Sequence, residues 1–236
     1  MRMYILTKRK VAFVIGVLGL LVLTMAVILF TAPSDQPTAA EPIFQGKTAE
    51  KAVALAINVD WGEDVLPEML QVLAKENVQV TFFVTGRFAE KNPDLVREIA
   101  ANGHEIGNHG YSHPHPDKLS VEQNQEEIQK TEKILREIGV ETALLFAPPY
   151  GEFGTNCLQG AENCHYQTIM WSRDTIDWQE PAPDQATLVE RIAGKPLENG
   201  MIMLMHPKKH TLEALPEIIN AIKAQGFSCQ KVSEVL

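Results

Sequence analysis

The chain has 236 residues, 45% of them hydrophobic and 22% charged, with 15 Gly and 14 Pro. That is the balance of a globular protein with a real core rather than of a disordered or fibrous one. Arg2, Lys8, Arg9 and Lys10 are the charged residues of the first 32, so beyond them 17 basic residues stand against 30 acidic ones; so acidic a body repels phosphate backbones and excludes nucleic acid as a partner, while three Cys exclude a disulfide scaffold.

In chain order, residues 1–10 form a short basic N-terminus. From Val11 to Ala32 the chain runs 22 residues without a charge, enough at about 1.5 Å per residue to cross a bilayer core of about 30 Å. The stretch predicts one transmembrane helix, and the basic cluster before it places residues 1–10 in the cytoplasm. The resulting expectation is a single-pass protein of the cell membrane, with the membrane as a partner and its domain outside the cytoplasm. The alternative is a cleaved signal peptide ending near Thr38-Ala39-Ala40, hence a secreted protein. Residues 33–47, rich in Pro and Ala, read as a linker, and 48–236 as one domain.

Within that domain short apolar runs at 52–58, 78–84, 104–109, 143–147, 167–172, 201–206 and 227–232 read as parallel strands. Helical periodicity occupies 66–75, 93–102, 121–138, 185–192 and 212–225. Asn92 before Pro93, Gly103 after the same helix, Ser120 with Gln123, and Gly139 supply matching start and stop signals. Such alternation predicts an α/β fold, a small barrel or a doubly wound sheet. In both, chemistry collects where strands end.

Beyond those ends lie Asn58, Asp60, Glu63 and Asp64, then His109 and His113, Pro148 and Tyr150, Asp174 and Asp177, and His206. Convergence of His109, His113 and His206 near carboxylates would suit a zinc-like divalent metal with a place for water. The bland alternative is two loop histidines at coincidental spacing.

The string TFFVTGRFAEKNPDLVREIAANGHEIGNHGYSHP, followed by FAPPYG, WSRDTIDW and LMH, resembles the polysaccharide deacetylases of carbohydrate esterase family 4, the NodB-homology domain. The resemblance spans about residues 50–236 and rests on several separated motifs in order. It implies a distorted (β/α) barrel of about seven parallel strands and hydrolysis of N-acetyl groups on an N-acetylated polysaccharide such as peptidoglycan. It also implies a divalent metal, zinc first, with cobalt, nickel or manganese compatible. His109 and His113 match the metal-binding histidines, and His206 the general acid. Asp177 matches the carboxylate that orients that histidine. Pro148, Pro149 and Tyr150 match the loop lining the acetyl pocket and lending a backbone N–H to the oxyanion. Trp178 and Leu204 match its apolar walls, core packing being their alternative reading.

The family's first motif, T-F-D-D-G, carries the base and a third metal ligand, and here the stretch is Ala56-Ile57-Asn58-Val59-Asp60-Trp61-Gly62. Aligned on Gly, Asp60 falls on the base and Trp61 on the ligand; aligned by the distance to Pro67, these become Asn58 and Val59. Neither register gives a third ligand, and the Arg usual before the two prolines is Ala147. In the second register Asp60, Glu63 or Asp64 would have to substitute for the base. Asp60 is the candidate taken, because residues two apart on a strand share a face and it lies two beyond Asn58, whereas Glu63 and Asp64 also read as charge at the start of the following helix. These departures leave open a degenerate domain that binds glycan without hydrolysing it. Cys157 and Cys164 would stand about 10.5 Å apart along an intact helix, too far for a disulfide. A break at Gly154 and Gly160 would permit a bridge, which an oxidising location favours.

Overall fold

The computed structural model describes residues 41–236. Among these residues no helix is long and apolar enough to cross a membrane. On that finding the expected cell-membrane location, with its transmembrane helix, membrane partner and domain outside the cytoplasm, is corrected; the 11–32 stretch that carried it lies outside the described residues.

The described residues form eight strands, all paired in parallel: β1 (Ala52–Val59), β2 (Thr81–Val84), β3 (Glu105–Asn108), β4 (Leu145–Phe146), β5 (Gln167–Thr168), β6 (Arg173–Asp174), β7 (Ile202–Met205) and β8 (Ser228–Gln230). Their order is β5-β4-β3-β2-β1-β7-β6, with β8 beside the start of β1. The helices are α1 (Leu66–Glu76), α2 (Gly86–Lys91), α3 (Pro93–Ala101), α4 (Val121–Glu137), α5 (Thr155–Asn163), α6 (Gln185–Ala193), α7 (Lys209–Ala224) and α8 (Val232–Val235). The expected strands are present, most of them shorter, and Arg173–Asp174 adds one more.

The central strand explains both the curl of the sheet and the position of the site. β1 is wholly buried, and its sequence, AVALAINV, alternates small and large residues. Val53, Leu55, Ile57 and Val59 pack with Met69 and Leu73 of α1, Ile99 of α3, Leu188 of α6 and Ile218 of α7. Each large aliphatic removed from water in this way contributes roughly 1.5–3 kcal/mol. Ala52, Ala54 and Ala56 face the inside with Phe83, Ile169 and Ile202, where small side chains leave room for the strands to curl around them. Asn58 lies on this inner face at the end of β1.

Ile43 bridges in parallel to Ile169 and Gln45 antiparallel to Met201, while the Gly46 N–H donates to the Gly200 carbonyl (2.7 Å). A side chain at Gly46 would stand 2.0 Å from the Val235 carbonyl oxygen. The end of the expected 33–47 linker is therefore docked on the sheet, because only glycine permits this approach. The caps form as expected at Ser120 and Gln123, which make a complete capping box. Gly103 and Gly139 adopt φ of +84° and +77° after their helices. Around Cys157 and Cys164 the helix is intact and both thiols are free, so the bridge favoured above is corrected. Burial pushes the Cys157 thiol up to about 12.

Candidate active site

A cavity of about 310 Å³ opens at the C-terminal ends of the strands. Asn58, Asp60, Trp61, His109, His113, Tyr150, Trp171, Asp174, Trp178, Leu204 and His206 line it with Gly151. Of the sequence-predicted site residues, Pro149 and Asp177 are absent from this lining; Pro149 is buried in the Tyr150 turn, and Asp177 lies behind His206.

One wall is built by Asp177 and His206. Asp177 is fully buried, and its Oδ1 accepts from His206 Nδ1–H (2.7 Å). Its Oδ2 accepts from the His206 backbone N–H and the Thr211 hydroxyl, both at 2.7 Å. His210 Nε2 donates to the Asp177 carbonyl (2.8 Å). Burial acts to raise the Asp177 carboxyl pKa, but the hydrogen bonds and charge of His206, with Thr211, outweigh it and hold the group below the usual carboxylate range. The carboxylate thus fixes the tautomer of His206 and turns Nε2 away from itself. Trp61 stacks on the imidazole (centroids 6.0 Å apart), and Lys208 Nζ lies 4.4 Å from the Trp61 ring. Trp178 is 52% exposed and donates from Nε1 to Asp174 (3.3 Å), so it is a wall of the cavity rather than core. Leu204 is a buried apolar patch in the same lining.

The opposite wall comes from β1, from the loop after β3 and from the turn after β4. His109 is buried and donates from Nδ1–H to the Ala147 carbonyl (2.6 Å), which leaves the Nε2 lone pair free. Burial, then the neighbouring His113, pushes His109 down to about 3, so the ring is neutral. His113, lowered chiefly by burial, meets His109 edge-on with centroids 5.0 Å apart. The backbone of His113 has a φ of +58°, outside the ordinary range for a non-glycine residue. Tyr150, also at positive φ (+59°), stacks on His115 at 4.0 Å and packs edge-on against His113 at 4.7 Å. Asn58 points inward, and its buried Oδ1 has no hydrogen-bond partner among the described residues. Val59 points the other way, into the helix-facing core. Asp60 Oδ1 accepts from Thr85 Oγ1 (2.9 Å) and Arg87 Nε (2.6 Å), and its Oδ2 accepts from Arg87 Nη2.

The sequence model described as Polysaccharide deacetylase matches residues 45–169, more than half of the chain. The chain belongs to the polysaccharide deacetylase family. A relative of the family, protein YlxY of Bacillus subtilis (strain 168), is 42% identical over 197 residues, covering 83% of this chain and 60% of the relative; the chain therefore spans less than two thirds of that relative's length. A peptidoglycan-N-acetylglucosamine deacetylase of Bacillus cereus is 35% identical over 188 residues, 78% of this chain and 67% of the relative. Among solved structures, wild-type BA3943 of Bacillus anthracis, described as a CE4 family pseudoenzyme, superimposes with a TM-score of 0.77 at 36% identity, covering 83% of this chain and 68% of that one. A mutant of BA3943, 35% identical to this chain, is described as having restored enzymatic activity.

Deacetylases of carbohydrate esterase family 4 are hydrolases that generally depend on a metal, and the residues present can be tested for one. His109 and His113 are neutral imidazoles suited to a divalent ion. A third donor is not in place. Val59 is buried hydrocarbon, the Asn58 amide oxygen is a weak ligand, and Asp60 is held by Thr85 and Arg87. No group of three or more His, Cys, Asp or Glu among the described residues is arranged to hold a metal. The donor set does not fit a resident metal, and no reaction step below passes through one.

Sequence reasoning missed Thr85, Arg87, Trp171, His210 and Thr211. The strand-end rule applied to β2 would have found Thr85 and Arg87, which follow Val84 directly. No local signal marks Thr211 as a partner of Asp177, because 34 positions separate them.

Proposed function

We propose that the chain takes an N-acetylated polysaccharide of the peptidoglycan or N-acetylglucosamine type into this cavity and hydrolyses its N-acetyl groups. The observation that carries the reading is the buried Asp177–His206 pair. Binding a sugar needs stacking surfaces and hydrogen bonds, and a carboxylate buried behind an imidazole adds nothing to that task. Proton transfer needs what this pair provides, an imidazole whose tautomer is fixed by a buried carboxylate behind it.

In the proposed chemistry Trp178 and Leu204 hold the acetyl methyl, and the Pro148–Tyr150 turn faces the carbonyl. A carboxylate has about four lone-pair sites. Thr85 and Arg87 occupy three on Asp60, so one remains to accept a proton from the attacking water. The tetrahedral intermediate collapses when His206 Nε2–H protonates the amine, a group that leaves poorly as an anion. Acetate and a free amine are the products.

A second reading, a glycan-binding domain without hydrolysis, is favoured by the unpartnered Asn58 amide and the occupied Asp60, and by the likeness to BA3943. Acetate release from N-acetylglucosamine oligomers, measured beside glycan binding, separates the two. Release that depends on His206 supports the first reading, and binding without release supports the second.

A further inference from the structure

The carboxylate that stands nearest the histidine pair in function is held by a cation of the chain itself. Arg87 presents Nε and Nη2 to the two oxygens of Asp60, a fork-to-fork pairing that adds direction to charge. The guanidinium is not free to swing away with its backbone. The Arg87 N–H donates to the Tyr111 carbonyl (3.0 Å) and the Gly86 N–H to the Gly110 carbonyl (2.9 Å). Both acceptors lie in the His109–His113 loop, so the start of α2 is tied to the segment that carries the two imidazoles. Thr85 caps α2 through its hydroxyl and donates the same hydroxyl to Asp60. Asp60, His109 and His113 all face one cavity. Two neutral imidazoles and one free carboxylate would make a three-donor set with an open position, the pattern that divalent zinc, cobalt or nickel takes.

We infer that Arg87, through its pairing with Asp60, holds that carboxylate out of the reach of any divalent metal at His109 and His113. The wild-type chain accordingly takes such a metal weakly. Freeing Asp60 from the guanidinium converts the same three residues into a metal site. The inference concerns metal affinity alone and does not rest on the proposed hydrolysis, so the two can fail separately.

The test is a titration of the full chain with Co²⁺, followed by visible absorption, and with Zn²⁺, followed by calorimetry. Wild type, Arg87→Met and Arg87→Met/Asp60→Asn are compared, with Arg87→Gln in place of Arg87→Met if circular dichroism finds the Met variant unfolded. The expected result is one Co²⁺ bound per Arg87→Met chain about tenfold or more tightly than by wild type, the scale on which outer partners govern a metal site. Adding Asp60→Asn is expected to erase that gain. Equal affinity in wild type and the Arg87 variant, absent binding in both included, would overturn the inference. So would a gain that survives Asp60→Asn.

Discussion

The two walls of the cavity obey opposite rules of polar satisfaction. On the Asp177–His206 wall every oxygen of a fully buried carboxylate has a partner, and three short hydrogen bonds converge on it. On the Asn58–Asp60 wall, a buried amide oxygen has none among the described residues and the carboxylate beside it is spent on an arginine. Complete networks are costly to break, whereas an unpartnered polar atom costs stability already and can be replaced freely. The difference teaches that the Asp177–His206 half of the site is built into the fold, while the β1 half is open to change.

The largest contrast should appear in stability. Asp177→Ala strips partners from His206 and Thr211 and is expected to cost about 3–5 kcal/mol in urea denaturation, as when one member of a buried pair is removed. Asn58→Leu, on the other wall, is expected to be neutral or to stabilise by about 1 kcal/mol, because the amide oxygen it removes makes no bond. Similar losses in both variants would break the comparison.

Glycan affinity gives a smaller effect. Trp178→Ala removes an exposed aromatic wall and is expected to weaken binding of N-acetylglucosamine oligomers by about 1 kcal/mol, several-fold in Kd by calorimetry. An unchanged Kd would move the sugar away from that wall.

The smallest effect is a pH dependence of sign fixed by Asp177. Its folded-state pKa is depressed, so the stability it contributes is present above the unfolded value of about 3.9 and is lost as pH falls through the lower folded value. Asp177→Asn is expected to flatten that part of the acid limb when urea midpoints are followed from pH 6 downward. An acid limb of the same slope in the variant would contradict the assignment.

How far the sequence could be read follows the same physics. β1 was legible because six apolar positions in a row, Ala52 to Ile57, need both faces buried, and α4 because a capping box and Gly139 bracket its period. Two-residue strands such as β4 and β5 carry no period, and their extent is set by neighbours distant in the chain. The helix at 155–163 was obscured by Gly160, which is tolerated because a side chain there would stand 2.7 Å from Asn124 Cβ. His109, His113, Asp177 and His206 were legible through their motifs, and all but Asp177 line the cavity, with Asp177 immediately behind. The fate of Asp60 was not, since its partner lies 27 positions away and only the fold brings them together.

The most direct test of the central claim is acetate release by the wild-type chain from N-acetylglucosamine oligomers or peptidoglycan fragments, beside His206→Ala, with glycan binding measured on both. The expected result is release by wild type that falls by about 10²–10⁴-fold in the variant while binding persists. A wild-type chain that binds the glycan and releases no acetate would contradict it.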